Sequence, residues 1–159
     1  MSHQEISILH ASRSDFDRMS RLFRETILHT CRNDYTPEQL KVWASSPERR
    51  KESWLKRIDE QYFILAESGD ELLGMGSLED DDYIDFLYVS NRHLRKGIAK
   101  ALYNSLEQKA LDLGVKSLKS DVSKTARPFF EKQGFKVVHE NQNHIEGEIL
   151  INFRMEKVI

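Results

Sequence analysis

The stretch YIDFLYVSNRHLRKGIAKALYNSLEQKALDLGVKSLKSDV constrains the fold more than any other part of the chain. Residues 83–89 are rich in aromatic and β-branched types and predict a strand. A helix begins after Gly97, with Ile98, Leu102, Leu106 and Leu113 on one face. Gly114 supplies a helix stop, and residues 117–122 predict a second strand. A strand, a long helix and another strand in succession predict a right-handed crossover. In sheets of this kind, ligands sit at strand C-terminal ends and helix N-termini.

The flanking segments extend this unit on both sides. A short strand is expected over 6–9. A helix follows from a capping-box-like start at Ser14, with Phe16, Met19, Leu22, Phe23 and Ile27 at helical spacing up to about Cys31. Thr36-Pro37-Glu38-Gln39 is a second start signal, and Ser46-Pro47-Glu48 a third, with Trp54, Leu55 and Ile58 turned inward. Strands over 62–67 and 72–78 flank the turn Ser68-Gly69-Asp70-Glu71 and predict a hairpin. Thr125 to Gln133 predicts a helix closed by Gly134, and strands are expected over 135–139 and 149–155. The order β-α-α-α-β-β-β-α-β-α-β-β predicts an α/β or α+β fold with a mixed sheet. No repeat or linker interrupts it, so the 159 residues are expected to form one domain.

Composition excludes several function classes. Lys plus Arg is 24 and Asp plus Glu is 26, a net charge of -2, which gives no electrostatic case for nucleic-acid binding. A single cysteine, Cys31, rules out an intrachain disulfide and four-ligand thiolate zinc sites. The six histidines show no HExxH spacing, so no metal is expected. No basic-then-apolar leader is visible and the longest apolar runs are short, so no membrane association and a cytoplasmic location are expected.

The loop between the crossover strand and its helix carries the chemistry. Arg92, Arg95, Lys96 and Lys100 gather on a chain that is otherwise slightly acidic. Gly97 and Ala99 let a ligand approach the backbone closely, and a helix N-terminus offers unpaired N–H donors to phosphate. Neither a GxxxxGK[ST] loop nor a GxGxxG fingerprint is present. A solvated basic helix start fits the same residues.

Two motifs resolve this. Leu94-Arg95-Lys96-Gly97-Ile98-Ala99, after Leu87-Tyr88-Val89, resembles the Q/R-x-x-G-x-G/A acyl-CoA loop of the GNAT superfamily of N-acetyltransferases. Ala126-Arg127-Pro128-Phe129-Phe130-Glu131-Lys132-Gln133-Gly134-Phe135 is similar to the family's A-x-x-F-Y-E-K-x-G-F. The resemblance covers essentially the whole chain and looks closest to the small bacterial YafP-like branch. It implies a mixed, splayed sheet flanked by helices on both faces. Acetyl-CoA would lie between YIDFLYV and the 117–122 strand. Backbone groups of Leu87, Tyr88 and Val89 would bond the pantetheine arm, and N–H groups of Arg95, Lys96, Gly97, Ile98 and Ala99 the pyrophosphate. An N–H near Leu87 or Tyr88 would stabilise the oxyanion. Ser123 falls where the family often has Asn facing CoA. Two residues depart from the pattern: Leu94 replaces the usual Gln or Arg, and Phe130 replaces the frequent Tyr, which protonates the leaving thiolate. Tyr103, Thr125 and Ser123 are the nearby hydroxyls that could substitute.

A primary ammonium must lose a proton before it attacks a thioester. Strand alternation places Tyr83, Asp85 and Leu87 on one face, and the family's basic carboxylates often come from that face, nearer Tyr83. Asp85 is the first candidate base, with Glu79 and Tyr83 beside it; pairing of Asp85 with a basic neighbour is the competing reading. Asp121 is expected to cap a turn. His29, Tyr35 and Trp43 lie near the helix–helix turn that overhangs the acceptor site in this family. Trp43 also fits a core position, and Cys31 a packed helix residue. The expected activity is direct acetyl transfer to a small-molecule or protein amine, in a chain that could pair as a homodimer. A non-catalytic acyl-CoA sensor is the alternative, and Phe130 is the residue that favours it.

Overall fold

A computed structural model describes residues 5–159. The elements in chain order are β1 (Ser7–His10), α1 (Phe16–Thr30), α2 (Pro37–Ala44), α3 (Ser46–Arg49), α4 (Lys51–Glu60), β2 (Tyr62–Ser68), β3 (Glu71–Glu79), β4 (Tyr83–Val89), α5 (Ile98–Asp112), β5 (Ser117–Ser123), α6 (Arg127–Lys132), β6 (Lys136–Ile145) and β7 (Glu148–Val158). Seven strands form one mixed sheet in the order β1-β2-β3-β4-β5-β7-β6. Among the described residues only β4 and β5 are parallel neighbours, joined by the α5 crossover.

Helices cover both faces, as the sequence predicts. On one face Phe16, Met19, Phe23 and Ile27 of α1 pack with Trp54 and Ile58 of α4 over Phe63, Met75 and Phe86 of the sheet. On the other, Ile98, Leu102 and Leu106 of α5 pack with Phe130 of α6 over Ile64, Leu73, Ile84 and Leu118. Each amphipathic helix thus buries its apolar stripe against the pleat. Close approach fixes the height of α5. A Cβ built on Gly74 would stand 2.9 Å from both Leu102 Cδ1 and the Tyr88 carbonyl oxygen.

The predicted elements are recovered with three differences. The helix expected from Ser46 is two helices, because Arg50 leaves helical geometry at φ -126°, ψ 39°. The last two strands are longer than expected and form a hairpin. Its turn residues Glu146 (φ 47°) and Gly147 (φ 83°) both adopt the left-handed conformation, which matches the twist of a two-residue hairpin. The polar run His139-Glu140-Asn141-Gln142-Asn143 conceals this strand, since β6 is the sheet edge and has little apolar face to display.

The third difference governs the site. Ser77 pairs with Phe86, but Leu78 pairs with Ile84, so Asp85 is an extra residue in β4. This bulge breaks the alternation that would have put Tyr83, Asp85 and Leu87 together. Leu87 and Val89 pack toward α5, while Asp85 is bonded to Gln61 at the end of α4. Pairing of β4 with β5 stops at the same place. It comprises Tyr83 with Lys119 and Ile84 with Ser120, and the Ser120 hydroxyl donates to the Ile84 carbonyl at 2.8 Å. Beyond that pair the two strands part. A bulge that bends one strand and ends its ladder accounts for the gap.

Candidate active site

The gap between β4 and β5 holds two adjoining cavities. The first, about 180 Å³, is walled by Leu87, Tyr88 and Val89 of β4, Leu94 and Ala99 of the basic loop region, and Ser123 and Phe130 across the gap. The second, about 230 Å³, continues from it past Leu87, Tyr88, Ser123 and Phe130 to Asp85, Tyr35 and Trp43. A channel therefore runs from the start of α5 through the sheet to the opposite side. There it meets a wide polar groove of about 740 Å³ between Asp85 and the β6–β7 hairpin.

Backbone polarity on β4 follows from one hydrogen bond. The Ser90 N–H donates to the Leu73 carbonyl at 2.8 Å. Antiparallel alternation then turns the N–H and C=O of Tyr88 toward Met75, and those of Leu87 and Val89 into the gap. The Val89 carbonyl accepts the Thr26 hydroxyl at 3.0 Å. Of the three residues expected to offer main-chain groups to a ligand, Leu87 and Val89 can do so. The Tyr88 main chain is used by the sheet, and its ring is what lines the channel.

At the loop, Arg95 (φ 63°) and Gly97 (φ 78°) both take the left-handed conformation. A Cβ on Gly97 would meet nothing within 4 Å, so the space before the helix is open. Arg95, Lys96 and Gly97 are exposed, Ala99 is half-buried, and Ile98 is buried and anchors the helix in the α5 core. The Ala101 N–H is the first to close a helical bond, onto the Gly97 carbonyl. The N–H groups before it face outward from a positive helix end, an arrangement that suits a diphosphate. An orphaned polar atom supports a ligand in the adjoining cavity: the Thr30 hydroxyl at its wall is buried with no hydrogen-bond partner. These residues fit an acyl-CoA. A nucleotide diphosphate can rest on the loop while an amide-bearing arm runs along Leu87 and Val89.

The hydroxyls near Phe130 sort themselves by partner. Phe130 is buried between the two cavities and carries no proton to give. Tyr103 lies away from them; its hydroxyl donates to Glu107 at 2.8 Å and accepts from Lys157 at 2.9 Å. Thr125 donates to Asp34 at 2.7 Å. Ser123 lines both cavities and accepts the Ala126 N–H at 3.0 Å, so its own proton is free.

On the far side, Asp85 borders the second cavity and the groove. It accepts from Gln61 Nε2 at 2.7 Å and lies 3.5 Å from Arg57 Nη1. Glu79 accepts from the same Gln61 nitrogen at 3.2 Å. Burial, then the charges of Asp85 and Asp80, raise the Glu79 carboxyl above the usual carboxylate range. Tyr83 is engaged elsewhere: its hydroxyl donates to Asp121 at 2.6 Å, and burial and that bond push it far above an ordinary phenol. Asp121 does not cap a turn. Arg154 grips it with two bonds of 2.9 Å and Asn141 adds a third at 2.8 Å.

The expected acceptor residues separate. Tyr35 and Trp43 stack edge to face at 5.3 Å and both line the second cavity. The Tyr35 hydroxyl is committed, donating to the Ile151 carbonyl at 2.6 Å and accepting the Lys124 N–H at 3.0 Å, and burial pushes it up to about 12. His29 lies exposed on α1 and lines neither cavity. Residues without a sequence signal complete the site: Thr26 and Thr30 on α1, Gln61 and Arg57 on α4, and Asn143 and Asn152 across the β6–β7 ladder.

Residues 31–157 match the family model of the GNAT acetyltransferase domain. The chain belongs to the GNAT family of acetyltransferases. N-acetyltransferase YafP of Escherichia coli strain K12 is 30% identical over 150 residues, 94% of each chain. A GCN5-related N-acetyltransferase from Rhodopseudomonas palustris superposes with a TM-score of 0.91 at 28% identity, covering 100% of this chain and 98% of that one. PaiA N-acetyltransferase of Thermoplasma acidophilum, solved with coenzyme A, shares the fold with a TM-score of 0.78 at 23% identity, over 98% and 99% of the two chains. The GNAT fold accounts for the parted β4 and β5 and for the helices on both faces. The protein is therefore an acyl-CoA-dependent N-acetyltransferase by family. Among its described residues, no helix is long and apolar enough to cross a membrane.

Proposed function

We propose that the protein moves the acetyl group of acetyl-CoA to a primary amine by direct attack within a ternary complex. The observation that carries this reading is the position of Asp85. It stands at the far end of a channel that begins at the open N-terminus of α5. A thioester laid along Leu87 and Val89 would have donors for its carbonyl on one side and a carboxylate facing the acceptor on the other.

Within that arrangement the N–H groups from Arg95 to Ala99 hold the diphosphate, aided by Arg95 and Lys96, while Gly97 keeps the approach clear. The Leu87 N–H, turned into the gap, stabilises the oxyanion. Asp85 takes the ammonium proton, and the Ser123 hydroxyl supplies one to the departing thiolate in place of the tyrosine absent at Phe130. Tyr35 and Trp43 shape the acceptor cavity with their rings. The groove beyond Asp85 is lined by polar side chains such as Arg50, Asn141 and Gln142. It favours an amine carried on a hydrogen-bonding body over a purely aliphatic one.

The test is thiol release from acetyl-CoA with a panel of spermidine, kanamycin, a lysine-containing peptide and a peptide with a free N-terminal alanine. At least one amine is expected to release thiol. Asp85→Asn is expected to lower kcat about 100-fold or more while acetyl-CoA affinity stays within twofold, as for loss of a general base. Tight acetyl-CoA binding with no thiol release from any amine would support the sensor instead.

A further inference from the structure

Gln61 sits between two carboxylates from different strands. Its Nε2 donates to Asp85 Oδ2 at 2.7 Å and to Glu79 Oε2 at 3.2 Å, while its Oε1 is buried with no hydrogen-bond partner. The two acids open onto different spaces. Asp85 borders the acceptor cavity and the groove. Glu79 borders neither; with Gln61, Arg57 and Asp80 it lines a separate depression of about 380 Å³ beside α4. Gln61 thus links a carboxylate on the acceptor side of the sheet to one at another surface.

Charged and titratable groups face the pair from several elements, with Arg50, Tyr83, Asp121, His139, Glu140 and Arg154 bordering the groove beside Asp85. Arg57 of α4, 3.5 Å from Asp85, is the cation that touches it. Asp80 adds negative charge beside Glu79, and Lys56 and Glu60 of α4 border the outer depression with opposite signs. At Glu79, burial and the charges of Asp85 and Asp80 raise the carboxyl, while Arg57 and the Gln61 bond lower it.

We propose that Asp85 and Glu79 work as one proton-accepting pair, with Gln61 as the positioning residue that holds them together and the charge on Glu79 helping Asp85 to draw the acceptor's proton. The proposal rests on the reading of Asp85 as the base. The acceptor's N–H bond breaks and its proton goes to Asp85. The freed lone pair forms the C–N bond, the C–S bond breaks with its electron pair on sulfur, and the second nitrogen proton is taken up by the Ser123 hydroxyl as it passes its own to the sulfur. The proton on Asp85 leaves to water in the groove that Asp85 borders, which returns both acids to the ionised state that the two Gln61 bonds favour. Gln61 does not itself carry the proton.

Two measurements test this, one of them without an acceptor. In carboxyl-carbon NMR titrations of the ligand-free enzyme, Asp85→Asn is expected to lower the Glu79 midpoint, because a neighbouring charge is gone. Gln61→Leu is expected to raise it, because a donor to the ionised form is gone. In kcat/KM profiles with the most active amine of the panel, Glu79→Gln should move the acidic limb to lower pH and Gln61→Leu to higher pH, each by about half a unit or more. KM for acetyl-CoA should hold in both. A purely structural Gln61 would lower Tm and leave the limb in place. Midpoints and limbs unmoved within about 0.2 pH unit would overturn the pairing. If Asp85→Asn abolishes turnover while the limbs stay fixed, only the pairing fails. If Asp85→Asn retains full turnover, the base reading itself fails. Should Gln61→Leu not fold, Glu79→Gln at its exposed position carries the same decision.

Discussion

The Tyr83 hydroxyl donates to an Asp121 carboxylate oxygen at 2.6 Å, across the seam where β4 and β5 make their last two pairs. The bond ties the strands at the base of the gap and leaves the space above them open. Tyr83→Phe is expected to lower stability by about 1 kcal/mol, the net worth of a hydrogen bond to a charged acceptor that keeps its other partners. kcat should stay within about threefold, since the phenol does not face the reacting atoms. A denaturant midpoint together with thiol-release kinetics decides it; a hundredfold loss of kcat without loss of stability would return Tyr83 to the chemistry.

Asp121 gives the fold a pH dependence of definite sign. Burial raises its proton affinity, but the Arg154, Tyr83 and Asn141 bonds outweigh burial and hold the carboxyl below its ordinary range. A carboxylate whose folded pKa is depressed contributes stability above its unfolded value, about 3.9, and loses it as pH falls through the folded value. Wild-type stability should therefore fall below about pH 4, and Asp121→Asn should flatten that fall while lowering stability at pH 7. Urea midpoints across that range check both halves. An unchanged acid limb in the variant would show that the bonds around Asp121 do not support the fold.

Gly97 offers a direct probe of the cofactor loop. Its φ of 78° strains any β-branched residue, although a Cβ there would meet open space. Gly97→Val is expected to weaken acetyl-CoA binding about tenfold or more by calorimetry, with Gly97→Asn retaining more affinity because Asn tolerates that conformation. Equal affinity in wild type and Gly97→Val would remove the loop from the binding site.

Ser123 lines both cavities beside Phe130 with its hydroxyl proton free. Ser123→Ala should lower kcat about tenfold, less than a full general-acid effect because a thiolate leaves readily. Adding Phe130→Tyr in the same chain should recover most of it. If Ser123→Ala stays within twofold of wild type, the thiolate takes its proton from water.

The sites differ in how far the primary structure discloses them. Gly97 is legible as a left-handed position because a backbone that turns that way limits which side chains can stand there. Thr36 and Gln39 announced α2 for a similar local reason, each side chain bonding the other's N–H at 3.2 and 2.9 Å. Asp85 shows where this stops. YIDFLYV carries no mark of an extra residue, because a bulge is set by how β4 pairs with β3, and that pairing is not local. Gln61 was hidden for the same reason. As the residue ending α4 it reads as surface, and only the packing of α4 on the sheet brings it to Asp85 and Glu79. The β6 edge is hard to read from sequence because a strand with little buried face shows no period.

The supernumerary residue in β4 has a consequence for how such proteins can vary. With Asp85 deleted, the remaining six residues could zip along β5 as readily as along β3, sealing the slot and erasing a carboxylate in one stroke. Shortening that one segment by a single residue would shift the side chains beyond it to the other face and take away the carboxylate together with the bend.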